Sequence, residues 1–441
     1  MSDEIDALLE KAAELVNAGQ PVEAESIYQE MLRIEPTHSG ARHNLAALIA
    51  RRGDPVAALQ ILDTLVADEP GYASAHFNRG NALHSLHKTE DAIAAYRAVV
   101  ALDPDHHDAH RALGFLWLTL GNRGRSLDHF ARTYDLRRGE GRTGIAARSL
   151  RTASAMKLHH DADLFRHLPS RVREGHRFET LARIYEGLAE EFSDEVVELT
   201  SSQLNKLGAD YNTCIHLIDA PELMSGAVNA AANWGWIEEE LSDNRQGVAW
   251  LDGLLTDRAL ALLQRYLAES TIWHDFSHIP GFVSSYLEDG LACPLVLQIA
   301  DEVRGTLPGL LADKPLTQAW AFKALKGDKP IALHADDGTF SLNFWITPDA
   351  ANRNPDTGGL TVYRETPPAD WELVDYNADQ ERIQVFVDQH GDSCVTIPYR
   401  QNRGVIFTSR LFHGTDQPDF ETGYANHRIN ITMLFGDASK L

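Results

Sequence analysis

Residues 331–345 read IALHADDGTFSLNFW. His334, Asp336 and Asp337 interrupt a run that is otherwise apolar or alternating. FSLNFW alternates as a half-buried strand does, and side chains two apart on a strand face the same way. On that reading His334 and Asp336 leave one strand end together and point into a shared interior. A polar turn between two strands would account for the same letters. Distant segments have to decide between the two.

Strand texture continues around this stretch. From about residue 317, TQAWAFKALK, KPIALHAD, FSLNFWITP, GGLTVYRE, SCVTIPYR, RGVIFTS and HRINITMLFG are short β-rich runs separated by Gly, Pro, Asp and Asn. GVAWLDGLL, near 247, reads as a short strand entering a turn. TDRALALLQRYLAES, with Thr256 as N-cap, and CPLVLQIADEVRGTL have helical spacing. Helices followed by many short strands predict an α-flanked antiparallel barrel or jelly roll over residues 246–441.

Within that region IFTSRLFHGTD supplies His413 just beyond a strand, and HRINITMLF places Arg428 on the next one. Two imidazoles and one carboxylate on one face are the donor set of a non-haem Fe(II) centre, with three coordination positions open. A guanidinium one strand later can form a bidentate pair with a carboxylate deep in the barrel. His390, in VDQHGDSC, reads as loop, and His427 faces the opposite side of the strand from Arg428, so His413 is the preferred second imidazole. Other readings stay open. His334 can be a core histidine bonded to Asp336, and Arg428 can pair with a barrel acid. Asp337 reads as a neighbouring acid rather than a ligand.

The ordered set of HxD, distal His and Arg, joined by NFWITPDAANRNPDTGGLTVY (343–363), resembles the 2-oxoglutarate/Fe(II)-dependent dioxygenases of the prolyl-hydroxylase-like and phytanoyl-CoA-like branches over about residues 247–436. The resemblance implies a double-stranded β-helix in which His334, Asp336 and His413 bind Fe(II). It also implies that Arg428 holds the distal carboxylate of 2-oxoglutarate, with Asn343 and Asn430 near the cosubstrate and O2 as the oxidant. Phe322 and Lys323 stand where many relatives have a tyrosine. Related halogenases replace the HxD carboxylate by a small residue, so Asp336 favours hydroxylation.

The first third is a repeat. RIEPTH, ADEPGY and ALDPDH set Pro36, Pro70 and Pro104 at a period of 34. On that period small residues recur at Ala12, Ala46, Gly80 and Gly114, and again at Ala24, Ala58, Ala92 and Ser126. Large ones recur at Leu15, Ile49, Leu83 and Trp117, and at Tyr28, Leu62, Tyr96 and Phe130. Small positions let paired helices approach and large ones fill the space between them. Gly19, Gly53 and Gly121 fall at the turns between helices. The pattern resembles the tetratricopeptide repeat, in four units over about 5–138, with Arg138 where a fourth proline would stand. The histidines of DHHDAH straddle a repeat boundary and read as a solvated turn.

The expected organisation is a repeat array at 1–140, a helical extension and linker at 141–245, and the catalytic domain at 246–441. In the middle, GIAARSLRTASAMKL and RFETLARIYEGLAEEF read as helices, SDEVVELTSSQLNKLG as a helix capped by Ser193–Asp194, YNTCIHLIDAP as extended and NAAANWGWIEEELSDN as a short helix or linker. Trp234 and Trp236 read as packing residues.

A formal charge of −24 argues against a phosphate-backbone partner, which needs a basic footprint. Three scattered cysteines offer no zinc or disulfide framework. The acidic amphipathic start lacks a secretory pattern, and no apolar run approaches the roughly 18 residues of a membrane span. A cytoplasmic protein without membrane or nucleic-acid partners is expected. The whole chain resembles bacterial repeat-fused 2-oxoglutarate oxygenases. It implies a hydroxylase whose array recruits or orients a substrate, with a polypeptide favoured. The rivals are an interaction scaffold with an inactive barrel and a cupin-type metalloenzyme that does not use 2-oxoglutarate.

Overall fold

The computed structural model describes residues 2–139, 151–168, 172, 175–242, 247–390 and 393–436. Its contacts divide the chain into Met1–Leu116 and Trp117–Leu441. The division falls inside the fourth repeat rather than at its end.

The first unit is built of helix pairs. α1 (Ser2–Asn17) packs on α2 (Pro21–Ile34), α3 (Ser39–Arg51) on α4 (Pro55–Asp68), and α5 (Ala73–Ser85) on α6 (Thr89–Leu102), with α7 (His107–Thr119) next. Ala12, Ala46, Ala24, Ala58 and Ala92 are wholly buried, and Tyr28, Leu62 and Tyr96 fill the spaces between helices. At Gly80 the fit is tight: a Cβ there would lie 2.6 Å from Tyr96 Cε1. The Tyr96 ring is also fixed by a hydrogen bond from its hydroxyl to Asn81 Oδ1 at 2.7 Å. Gly19 and Gly53 turn with φ of +72° and +93°, and the third turn places His87 in the same left-handed region at φ +56°. That region costs a residue with a Cβ roughly 1–2 kcal/mol.

The second unit continues from α7 into α8 (Arg123–Arg138). Arg138, at the position of the missing proline, is buried and bonds Asp289 through both Nε and Nη2, each at 2.7 Å. Burial opposes both charges. For Asp289 the Arg138 guanidinium outweighs it and holds the carboxyl well below its ordinary range. After β1 (Thr152–Ala153), α9 (Ala155–His167) and α10 (Gly175–Ala189) pack around Leu158, Phe165, Phe178 and Tyr185. The start of the first expected middle helix, 144–150, lies outside the described residues. Ser193–Asp194 does not start a helix. β2 (Val197–Glu198) pairs with β1, and the cap passes to Thr200, whose side chain and that of Gln203 form a reciprocal capping box at α11 (Ser201–Leu207). α12 (Trp234–Ser242) buries Trp234 and sets Trp236 edge-on to Trp250 at 5.9 Å.

The remaining elements are β3 (Val248–Asp252), α13 (Asp257–Glu269), β4 (Phe282–Tyr286), α14 (Pro294–Thr306), α15 (Pro308–Leu311), β5 (Leu316–Ala324), β6 (Phe340–Trp345), β7 (Leu360–Tyr363), α16 (Leu373–Asn377), α17 (Gln380–His390), β8 (Cys394–Ile397), β9 (Arg403–Thr408), β10 (His413–Thr415) and β11 (Ile429–Phe435). Thr256 caps α13 through Ala259 N, as expected. Two antiparallel sheets form, one in the order β3-β9-β6-β11-β5-β4 and one in the order β10-β7-β8. Trp345, Val405 and Phe407 of the larger sheet pack against Leu360, Val362 and Ile397 of the smaller.

Two local expectations fail. KPIALHAD is not a strand: its backbone bonds are shared among His413, Thr415, Tyr376 and Ser409, so no continuous ladder forms. VDQH is not loop, because Ile383 and Val387 bury one face of α17.

In the repeats, His87→Gly should stabilise the chain by a few tenths to about 1 kcal/mol by relieving the left-handed strain. Gly80→Ala should destabilise it by about 1–3 kcal/mol through overpacking on Tyr96. Urea midpoints of the two variants shifting in the same direction would contradict this. In the second unit, Asp289→Asn leaves Arg138 buried without a counter-charge and should cost about 3–5 kcal/mol. Asp289 has a depressed folded pKa. Its contribution is therefore full above the unfolded value of about 3.9 and is lost progressively as pH falls from there toward the depressed folded value. The variant should lack that part of the acid limb, which denaturation curves carried from about pH 6 to about pH 2 would reveal.

Candidate metal centre

His334 and His413 face each other across an isolated antiparallel bridge. His334 N donates to His413 O at 2.9 Å, and His413 N donates to His334 O at 2.8 Å. The pairing puts the two rings side by side, with centroids 4.3 Å apart. Each Nδ1 sits against a carbonyl two residues back, Ala332 O at 2.9 Å and Leu411 O at 2.8 Å. A carbonyl only accepts, so both hydrogen bonds assign the proton to Nδ1 and leave the Nε2 lone pairs free. Both Nε2 atoms turn toward Asp336, at 3.8 Å from Oδ1 and 3.5 Å from Oδ2.

Asp336 is held from behind by its backbone N–H, which donates to Ser409 O at 3.0 Å. Its Oδ2 is buried and has no hydrogen-bond partner. A buried carboxylate oxygen left so is costly unless a cation completes it. Burial lowers the His334 pKa to about 4, and His413 beside it adds to the effect. Burial raises the Asp336 carboxyl, but His413 and then His334 outweigh it and bring it below its ordinary value. A neutral imidazole and an ionised carboxylate are the ligand-competent forms. The ligand atoms of His334, Asp336 and His413 all lie within 4.8 Å of one another. The donor set, its protonation and the orphaned oxygen fit a divalent metal with a mixed N/O preference.

Asp337 points elsewhere. Its Oδ1 accepts from the Tyr376 hydroxyl at 2.6 Å and pairs with Arg410 at 3.2 Å, whose guanidinium lies over the Tyr376 ring. His390 ends α17, exposed and stacked on Phe386, and His427 packs near Tyr424, so neither joins the cluster.

The larger sheet lines one wall of the interior with every second residue. Asn430 lies opposite Phe322 and Trp345, and Thr432 opposite Trp320 and Asn343. Asn343, Asn430, Thr432, Trp320 and Phe322 share a small cavity with the three ligand residues. Asn343 Oδ1 is buried without a partner. Lys323, one residue on, turns to the other face and sits between the Trp273 and Tyr424 rings at 4.2 and 4.4 Å. Burial pushes its pKa well below the usual value.

Arg428 is buried beside this wall. Its Nε donates to Gly358 O at 2.8 Å, Nη2 to Gly359 O at 3.3 Å and Nη1 to Asn430 Oδ1 at 3.2 Å. Three of its five N–H donors are thus used. Among the described residues no carboxylate lies within ion-pair distance, and burial lowers its pKa to about 10. The Gly-Gly pair explains itself here. Gly358 has φ +81°, and a Cβ on Gly359 would fall 1.8 Å from Ile397 O, so only glycines let both carbonyls reach Arg428. A second cavity of about 590 Å3 opens beside His334 and Asp336, lined by Tyr286, Trp320, Phe322, Ile331 and the turn at Asn377–Gln380.

Sequence reasoning missed Thr432, Tyr376 and the α16–α17 insertion. Thr432 follows from Asn430 by the two-residue period, and Ile383, Phe386 and Val387 carry a helical spacing. Nothing in the sequence marks Tyr376 as the partner of Asp337.

Comparison with known proteins bears on the N-terminal region. Residues 15–77 and 73–106 match tetratricopeptide repeat families. One solved structure, described as "Crystal structure of MamA protein", is 17% identical, covering 43% of this chain and 92% of its own at a TM-score of 0.29. Another, described as "Crystal structure of MamA", is 18% identical, covering 41% and 92% at 0.28. No curated protein matches the chain. Among the described residues no helix is long and apolar enough to cross a membrane.

Anaerobic titration with Co(II), whose d–d spectrum reports ligand number and type, should show one site per chain. His334→Ala, Asp336→Ala and His413→Ala should each abolish it, and Asp337→Asn should leave it in place. Unchanged Co(II) spectra in His413→Ala would remove that residue from the ligand set.

Proposed function

We propose that the chain is a 2-oxoglutarate- and Fe(II)-dependent oxygenase, acting as a hydroxylase, whose tetratricopeptide repeats recruit or orient the substrate. The observation that carries this reading is the convergence of His334, Asp336 and His413 on one point, with Asp336 Oδ2 buried and unpaired. The two-sheet topology is compatible with a double-stranded β-helix around that point.

In this reading the two Nε2 atoms and the Asp336 carboxylate hold the metal, and the Nδ1 hydrogen bonds keep both rings in the binding tautomer. Fe(II) with 2-oxoglutarate would supply oxygen activation coupled to decarboxylation to succinate. Arg428 provides the fixed positive charge for the distal carboxylate, with two N–H donors still unspent. A buried guanidinium without a counter-anion gains most from an incoming carboxylate. Asn430 orients Arg428, and Asn343 offers an unpartnered amide oxygen beside the same space. Trp320 and Phe322 limit water around the reacting groups. The substrate enters through the cavity of about 590 Å3. Stacked repeats present extended surfaces to polypeptides, which supports a recruiting role for residues 15–106.

Anaerobically reconstituted protein should release succinate from 2-oxoglutarate on exposure to O2. His334→Ala should lose this at least 100-fold. Arg428→Ala should raise the 2-oxoglutarate KM at least tenfold while Co(II) binding stays stoichiometric. Turnover insensitive to Arg428→Ala would favour a metalloenzyme that does not use 2-oxoglutarate, and a protein that holds no metal would favour a scaffold.

A further inference from the structure

The α16–α17 insertion carries a second concavity, none of whose lining residues is a metal ligand. It is a groove of about 450 Å3 lined by Trp371, Val385, Phe386, Asp379, Glu381 and Arg382. Trp371 and Phe386 pack at 5.4 Å to form its aromatic floor. Val385 is half exposed, and Leu373 and Val374 on the same insertion are similarly open. Of these only Val385 lines the groove, so its apolar surface is Val385 with Trp371 and Phe386.

Two acids, Asp379 and Glu381, and one base, Arg382, line the groove, and the surrounding segment is rich in acids. Residues 366–390 contain six acids, Asp370, Glu372, Asp375, Asp379, Glu381 and Asp388, against one Arg and one His. The arginine is spent: Arg382 pairs with Asp375 and lies over the Trp371 ring at 4.4 Å. The groove and the catalytic cavity share one turn. Asn377, Ala378 and Gln380 line the cavity, and Asp379 and Glu381 line the groove. Among the described residues no Lys or Arg lines the cavity.

We infer that this groove docks a basic polypeptide segment with an apolar anchor, part of the substrate that is hydroxylated in the adjoining cavity. The assignment of a substrate rests on the oxygenase reading; the docking itself does not. The anchor packs on Val385 and Phe386 beside the Trp371 ring that Arg382 covers, and flanking Lys or Arg side chains meet Asp379 and Glu381. A second copy of the chain fits poorly, because its charge of −24 brings like against like.

The test uses the full chain and two fluorescein-labelled 12-residue peptides with the same Leu and Trp anchors, one carrying Lys and the other Glu at its charged positions. Anisotropy should show the Lys peptide binding at least tenfold tighter, with affinity falling as salt rises. Glu381→Lys alone should weaken it several-fold, and Glu381→Lys with Val385→Asp at least tenfold, both with Co(II) binding intact. Equal binding of the two peptides, or undiminished binding in both variants, overturns the proposal. So does a chain dimer that dissolves in the double variant while no peptide binds, since the groove would then be a contact between copies. Wild-type protein that binds the Lys peptide through the groove but takes up no metal would refute the oxygenase reading and leave the docking site standing.

Discussion

The reciprocal backbone pairing of His334 and His413 is the constraint on which the site depends. Two residues 79 positions apart exchange both main-chain hydrogen bonds, and that exchange fixes the distance between their rings. Because each imidazole also donates from Nδ1 to a carbonyl two residues back, neither ring can rotate without losing a bond. Asp336 is then delivered by geometry: with His334 pinned to His413 and Asp336 N pinned to Ser409 O, its carboxylate has to face both Nε2 atoms. The site is preorganised by backbone, the least compliant part of the chain.

Around that bridge the two sheets divide the labour. The smaller sheet contributes His413 and, through Gly358 and Gly359 at the entry to β7, the carbonyls that hold Arg428. The larger sheet contributes the wall of Asn343, Asn430, Thr432, Trp320 and Phe322. The face of β5 that carries Phe322 is turned to the cavity, and the other presents Lys323 to an aromatic cage against α9. The helical extension is therefore packed directly on the strand that lines the proposed cosubstrate space. The same unit is tied at its start by Arg138, where the repeat period lapses and a buried ion pair to Asp289 takes the place of a helix-ending proline.

Where sequence patterning was legible, it reflected short-range physics. The 34-residue period, the small and large positions of the helix pairs and the Thr256 cap depend on neighbours within a turn or two of helix. The alternation in FSLNFW and HRINITMLF is equally local, whereas Asn343 and Asn430 were placed near the cosubstrate only by the family resemblance. The failures were of a different kind. KPIALHAD has strand composition but distributes its hydrogen bonds among four partners, which no local pattern records. Thr200 takes the cap from Ser193 because Gln203 completes a reciprocal box. His87 occupies a turn position that composition alone would give to glycine.

The sequence by itself determined that helix pairs precede a strand-rich region, and it singled out His334, Asp336, His413 and Arg428 as an ordered set. It ranked Asp336 above Asp337 by a two-residue strand spacing from His334, but which way the backbone turns each acid lay beyond it. Tertiary structure decided that: Asp336 faces two imidazoles, and Asp337 is taken by Tyr376 and Arg410, residues 39 and 73 positions away. Among the described residues, tertiary structure alone likewise left Asp336 Oδ2 without a hydrogen-bond partner and Arg428 without a counter-anion, because whether a buried charge is satisfied depends on every element packed around it.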